Sequence, residues 1–193
     1  MRRVGALALS LVTAFLLSAC AEPPHKEMDQ AQGAIDAAKA AGADRYAAQE
    51  YRAATDALKQ SQDAVAASDY RLALNFALES LEQAQNAARV AADTKAQMRG
   101  DIERAMAEVA TLMADAHARL AAAAKARVPP RLLRGPTDAL AAVDGDVQKA
   151  GEAIKGGDYL AAQEALRKVK ERIAATTTAI NTTMQPPPGR RRR

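Results

Sequence analysis

A chain of 193 residues with no Trp, two Phe and four Tyr has too few bulky rings for a deep globular core or for a cleft that grips bases or sugars by stacking. The formal charge of +4 sits at the ends. Without Arg2, Arg3 and Arg190 to Arg193, 21 Lys and Arg face 23 Asp and Glu, which argues against a nucleic-acid partner for the body of the chain.

Arg2 and Arg3 precede an apolar run from Val4 to Leu17, followed by the small residues Ser18 and Ala19. The run is short for a bilayer span. A charged start, an apolar centre and a small-residue end together make a secretory signal peptide, so residues 1–19 are expected to be cleaved off. Leu17-Ser18-Ala19-Cys20 resembles the lipobox of bacterial lipoproteins. That resemblance implies diacylglyceryl transfer to the Cys20 thiol, cleavage before it, and acylation of the new amine. No cofactor is expected beyond this covalent N-acyl diacylglyceryl lipid on Cys20. Several acyl chains, at about 0.8 kcal/mol per buried methylene, make release from the membrane negligible. Lipoproteins kept in the inner membrane often carry Asp where this chain has Ala21, so the same resemblance favours the periplasmic face of the outer membrane. Cys20 is the only cysteine, which excludes an intramolecular disulfide.

Residues 20–26, with Pro23 and Pro24, read as a short extended tether. Alanine dominates the rest of the chain and is the best helix former, so the expected fold is all-α: elongated antiparallel helical hairpins or a bundle, with one long central helix. A helical hairpin domain with that long helix is expected over 27–127. Its first helix carries Ile35 and Ala38 on one side and runs to about Ala41, with Gly42 as its stop and Asp44 as the next cap. The second has Ala47, Tyr51, Ala54, Leu58, Ser61 and Val65 at alternating spacings of four and three, which line one face. After a turn at Ser68-Asp69, the long helix from Tyr70 to about Arg127 carries Tyr70, Leu74, Ala77, Leu81, Ala84, Ala88 and Ala91, then Met98, Ile102, Met106, Val109, Met113, Ala116 and Leu120.

Gly100-Asp101 either ends one helix and opens another or sits inside one at a cost of about 1 kcal/mol. Unbroken, the helix would reach on the order of 85 Å at 1.5 Å per residue. Pro129-Pro130 and Gly135-Pro136 mark a Pro/Gly linker over 128–136. A second hairpin over 137–184 carries Leu140, Val143, Val147, Ala150 and Ile154, a turn at Gly156-Gly157-Asp158, and then Tyr159, Ala162, Leu166, Val169, Ile173 and Ile180, fading in the Thr-rich stretch from Thr176. Residues 185–193 are expected to be a disordered Pro/Arg tail.

A shift of 89 positions lays the second and third segments on the fourth and fifth. Asp69-Tyr70 falls on Asp158-Tyr159, Ala73 on Ala162, and Leu58 on Val147. The chain thus contains two copies of one hairpin, and since one hairpin cannot cover its own stripe, further helices or copies are expected to pack on it. The run from Ala40 through Gly42, Ala43, Tyr46 and Ala47, followed by Tyr51, Ala54, Leu58 and Asp69-Tyr70, resembles domain of unknown function 4398 over roughly residues 28–100. That family comprises alanine-rich helical regions of envelope lipoproteins, some ahead of an OmpA-like domain that binds peptidoglycan. The 193 residues are expected to hold no such domain, so direct peptidoglycan binding is not expected of them, and the resemblance brings no catalytic residues.

No catalytic site and no metal site is expected. His25 lies in the tether and His117 among helix residues without a second ligand at metal spacing. Asp144-Gly145-Asp146 with Glu152 lacks the ligand set of a calcium loop. The chemistry-bearing position is the lipid attachment at Cys20, and Arg190, Arg191, Arg192 and Arg193 are either partner contacts, to anionic lipid, lipid A or an acidic protein, or a solubilising end. The resulting expectation is a membrane-anchored periplasmic lipoprotein that acts as an envelope scaffold or adaptor through a protein partner or a second copy, and not as an enzyme. Two alternatives stand beside it. One is a helical-repeat binder of a lipid or peptide, with a pocket lined by Tyr51, Tyr70, Leu74 and Phe76. The other is a regulator of an envelope enzyme or transporter.

Overall fold

The computed structural model describes residues 22–184. Among these are six helices and no strand: α1 His25–Ala40, α2 Ala43–Tyr46, α3 Ala48–Ala66, α4 Tyr70–Lys125, α5 Pro130–Lys155 and α6 Tyr159–Met184. The all-α fold and its long helix are as expected, and α4 passes through Gly100 without a break. The division of the chain differs from the expected one. It falls at Thr94/Lys95, inside α4, so that α4 supplies a helix to each of two compact units.

The first unit packs α1, α3 and the start of α4 around Ala31, Ile35, Ala54, Leu58 and Ala84, with Met28, Tyr51 and Leu81 partly buried against them. The tether is shorter than expected, because α1 begins at His25 with Pro24 already buried. Gly42 turns the chain with a left-handed backbone, φ 84°. Asp44 does not cap α3; it lies inside the single turn α2, and α3 starts only after Ala47. Tyr46 and Ala47 are buried at this corner, which anchors the turn by packing where no side chain caps it.

On α4, the face turned inward is Ala73, Ala77, Ser80, Ala84, Ala87 and Ala91, all fully buried. The stripe expected there included Leu74 and Leu81, but these are half-buried on its flank, and Leu78 is 47% exposed. The reason is steric. A face of Ala and Ser lets two helix backbones approach closely, and the bulky side chains are left to the sides.

That approach is close enough for hydroxyls to bridge the helices. Ser61 Oγ donates to the Ala73 carbonyl and Ser80 Oγ to the Ala54 carbonyl, each at 2.8 Å and buried. As the residue number rises on α3 it falls on α4 in these pairs, which fixes the two helices as antiparallel.

The second unit packs the rest of α4 with α5 and α6 around Ile102, Val109, Met113, Leu140, Val143, Leu166, Val169 and Ile173. Here the expected stripes hold, with Thr176 added to the buried face of α6. Lys170 pairs with Glu108, and Arg119 Nη1 donates to Asn181 Oδ1 at 3.3 Å; both pairs are 62 residues apart, as parallel α4 and α6 require. The expected 128–136 linker is mostly helix, since α5 starts at Pro130 and holds Pro136 inside it. Leu133 closes a small core with Ala123 and Ile180, which favours extending α5 back to Pro130 despite the backbone hydrogen bond Pro136 cannot make. The Thr-rich end of α6 does not fade before Met184. Thr176, Thr178 and Thr182 each donate to the carbonyl four residues back, so the hydroxyls are satisfied within the helix.

The two hairpin turns are built alike. Ser68 N–H bonds to the Val65 carbonyl and Asp69 N–H to the Ala64 carbonyl; Gly157 N–H bonds to the Ile154 carbonyl and Asp158 N–H to the Ala153 carbonyl. Both are Schellman ends, with a left-handed residue, Ser68 at φ 58° and Gly157 at φ 73°. The following Asp then caps the return helix: Asp69 Oδ1 accepts from Leu72 N–H at 3.0 Å, and Asp158 Oδ1 from Ala161 N–H at 3.1 Å. The repeat seen in sequence is a repeat of backbone geometry.

Candidate functional site

Cys20 and Arg190 to Arg193 lie outside the described residues. Of the four residues expected to line a pocket, Tyr51 is packed against the first core, and Tyr70, Leu74 and Phe76 are half-buried. None of them lines the α4–α6 groove or the groove at the α4–α5 turn. His117 is exposed on α4, and His25 is exposed at the start of α1. Asp144 to Asp146 are helical, and Asp146 pairs with Arg172 and, at 3.3 Å, with Lys149. Among the described residues no group of three or more His, Cys, Asp or Glu is arranged to hold a metal ion.

These two grooves of the second unit differ in charge. The first, about 550 Å³, lies between α4 and α6 and is lined by Asp101, Ile102, Leu160, Glu164, Arg167 and Lys170, among others. Its charges are matched. Arg104 pairs with Asp101, Lys170 with Glu108, and Arg167 with both Glu164 at 2.7 Å and Glu171 at 2.6 Å. Hydrogen bonds from Arg167 and Lys168 hold the Glu164 carboxyl down to about 2, and the hydrogen bond to Glu164, with the nearby Glu171 charge, raises the Arg167 guanidinium above its ordinary range. These are exposed pairs on a helix surface, individually weak.

The second groove, about 610 Å³, lies at the α4–α5 turn and is lined by Val128, Pro130, Arg131, Leu133, Arg134 and Asp138, with Ala124 and Thr137. Around it Lys125, Arg127, Arg131 and Arg134 are all exposed, and none has an ion-pair partner among the described residues. Arg127 closes α4 with a left-handed backbone, φ 58°, its N–H bonded to the Ala124 carbonyl at 3.0 Å. Leu132, between two of the arginines, is 46% exposed. Sequence reasoning passed over this cluster because it treated 128–136 as a linker. The signal was present: 125–134 holds four cations and no carboxylate.

Residues 26–101 match the family model of a domain of unknown function, DUF4398. The resemblance read from the motifs around Gly42, Tyr46 and Asp69-Tyr70 is thereby borne out, and the matched segment runs from Lys26 in the first turn of α1 to Asp101 in α4. The basic turn and the α4–α6 groove lining from Ile102 onward fall beyond it. No curated protein and no solved structure matches the chain significantly.

Proposed function

We propose that this protein is a lipid-anchored helical lipoprotein of the bacterial envelope that works as a scaffold or adaptor through its surfaces, without catalysis of its own. The observation that carries this reading is how the two units use their residues. Apolar side chains are consumed in helix seams, the buried Ser61 and Ser80 hydroxyls tie helix to helix, and outward-facing leucines such as Leu72, Leu78 and Leu160 are left for contacts. The lipobox-like Leu17 to Cys20 supplies the anchor, and Ala21 favours the periplasmic face of the outer membrane. No helix among the described residues is long and apolar enough to cross a membrane. Four residues, 21–24, separate Cys20 from His25 at the start of α1, a reach of at most about 18 Å, so the first unit would work close to the bilayer that holds the lipid.

The test is fractionation with metabolic palmitate labelling of the wild type and of Cys20→Ser, followed by crosslinking in intact cells. Label and outer-membrane recovery that depend on Cys20, together with a discrete crosslinked species, are expected. Unchanged membrane recovery of an unlabelled wild-type protein would refute the anchor. An anchored protein that crosslinks neither to a partner nor to a second copy would refute the scaffold.

A further inference from the structure

We propose that the end of the second unit formed by the α4–α5 turn is a docking surface for an anionic phospholipid bilayer. The proposal stands on folded residues and does not depend on lipidation of Cys20.

Charge is the first argument. Within this unit Arg119, Lys149, Arg167, Lys168, Lys170 and Arg172 each face a carboxylate on their own or a neighbouring helix. Lys125, Arg127, Arg131 and Arg134 do not, and Asp138 is the single carboxylate lining the groove between them. Four uncompensated cations at one helix turn form a local positive field that only an anionic surface or polymer neutralises.

The apolar content selects the bilayer. Leu132 stands 46% exposed between Arg131 and Arg134, and Pro129 and Pro130 are exposed at the apex of the turn. A polyanion in water gains nothing from an exposed leucine. The headgroup boundary of a membrane does accept one, while arginine and lysine stems lie along it with their charges toward phosphate.

The experiment is cosedimentation of residues 22–193 with phosphatidylcholine vesicles, with and without phosphatidylglycerol. Every buried residue described lies between Pro24 and Ile180, so this chain keeps both cores whole. Binding is expected only to vesicles containing phosphatidylglycerol, and it should weaken as salt is raised. Each cation removed should lower the partition coefficient about fivefold. The quadruple variant Lys125→Gln, Arg127→Gly, Arg131→Gln and Arg134→Gln, with the tail intact, should therefore lose binding on the order of a hundredfold or more. Glycine suits the left-handed backbone at Arg127, and circular dichroism of the variant should match wild type. Leu132→Ser, at a site outside the core, should weaken binding several-fold with the salt dependence unchanged. Failure to bind phosphatidylglycerol vesicles, or wild-type binding by the quadruple variant, overturns the proposal. Wild-type binding by Leu132→Ser together with equal capture by soluble polyglutamate overturns it as well, and assigns the surface to an acidic protein.

Discussion

Replacing Ser61 and Ser80 tests whether hydroxyls hold the first unit together. Each Ser→Ala change removes a buried hydrogen bond between α3 and α4. The acceptors, the Ala73 and Ala54 carbonyls, lie inside helices and keep their helical N–H partners, so no orphaned polar group is left behind. Each change should therefore cost about 1 kcal/mol, the net worth of one hydrogen bond. Ser61 and Ala54 are seven residues apart on α3, about 10 Å, which puts the two bonds far enough apart to be independent. The double variant should lose about 2 kcal/mol.

Ser80→Val is the sharper probe, because Val169 occupies the matching position of the second copy and is fully buried there. In the first unit the neighbouring face is alanine. The added methyl groups should cost about 1–3 kcal/mol in overpacking beyond the lost bond, about 2–4 kcal/mol in all. Guanidinium denaturation followed by far-ultraviolet circular dichroism measures the change, and hydrogen exchange across 48–94 assigns it to the first unit. Neutral Ser→Ala variants, or a Ser80→Val protein as stable as wild type, would refute the closely packed seam.

The matched turns predict opposite responses. Ser68→Gly should stabilise by about 1 kcal/mol by relieving a left-handed residue with a Cβ, and Gly157→Ala should destabilise by a similar amount, both read from thermal unfolding. At Gly100, where nothing crowds an added Cβ, Gly100→Ala should raise stability by about 0.5–1 kcal/mol; a loss would argue against a helix continuous through that point. The Glu164 carboxyl is held at about 2 in the folded state against an ordinary 4.5, so its contribution is full above the ordinary value and is lost as pH falls through about 2. Glu164→Gln should flatten that acid limb of the melting temperature by lowering the value at neutral pH, while the value below about pH 2, where the wild-type carboxyl is itself protonated, stays unchanged.

Sequence and structure agree most closely where side-chain size carried the signal. On α5, α6 and the later part of α4, Ile102, Val109, Leu140, Val143, Leu166 and Ile173 are the large apolar residues at helical spacing, and they are the residues buried. The first unit shows why the same rule failed on α4. Hydropathy ranks Leu74 and Leu81 above Ala73 and Ser80, but a seam that brings two backbones within reach of a serine hydroxyl selects by volume, and the leucines are excluded from it. The basic turn escaped notice for a different reason. A balance of charge summed over the body hides a local excess, and the prolines that suggested a linker are accommodated at the start of a helix instead.

Turn chemistry was the most portable signal in the chain. Asp69-Tyr70 and Asp158-Tyr159 revealed the repeat, and the hydrogen bonds of the two turns match one for one. Between those turns and the far ends of the hairpins, the two copies hold related helices by different means. Where the first has Ala77, Ser80, Ala84 and Ala91, the second has Leu166, Val169, Ile173 and Ile180. Small residues permit close approach and hydroxyl-to-carbonyl bonds, whereas branched residues hold the helices through buried apolar volume. A residue's part in one copy therefore cannot be read from its counterpart in the other. Ser80 becomes intelligible through the Ala54 carbonyl it reaches, and Val169 through the absence of any such bond to make.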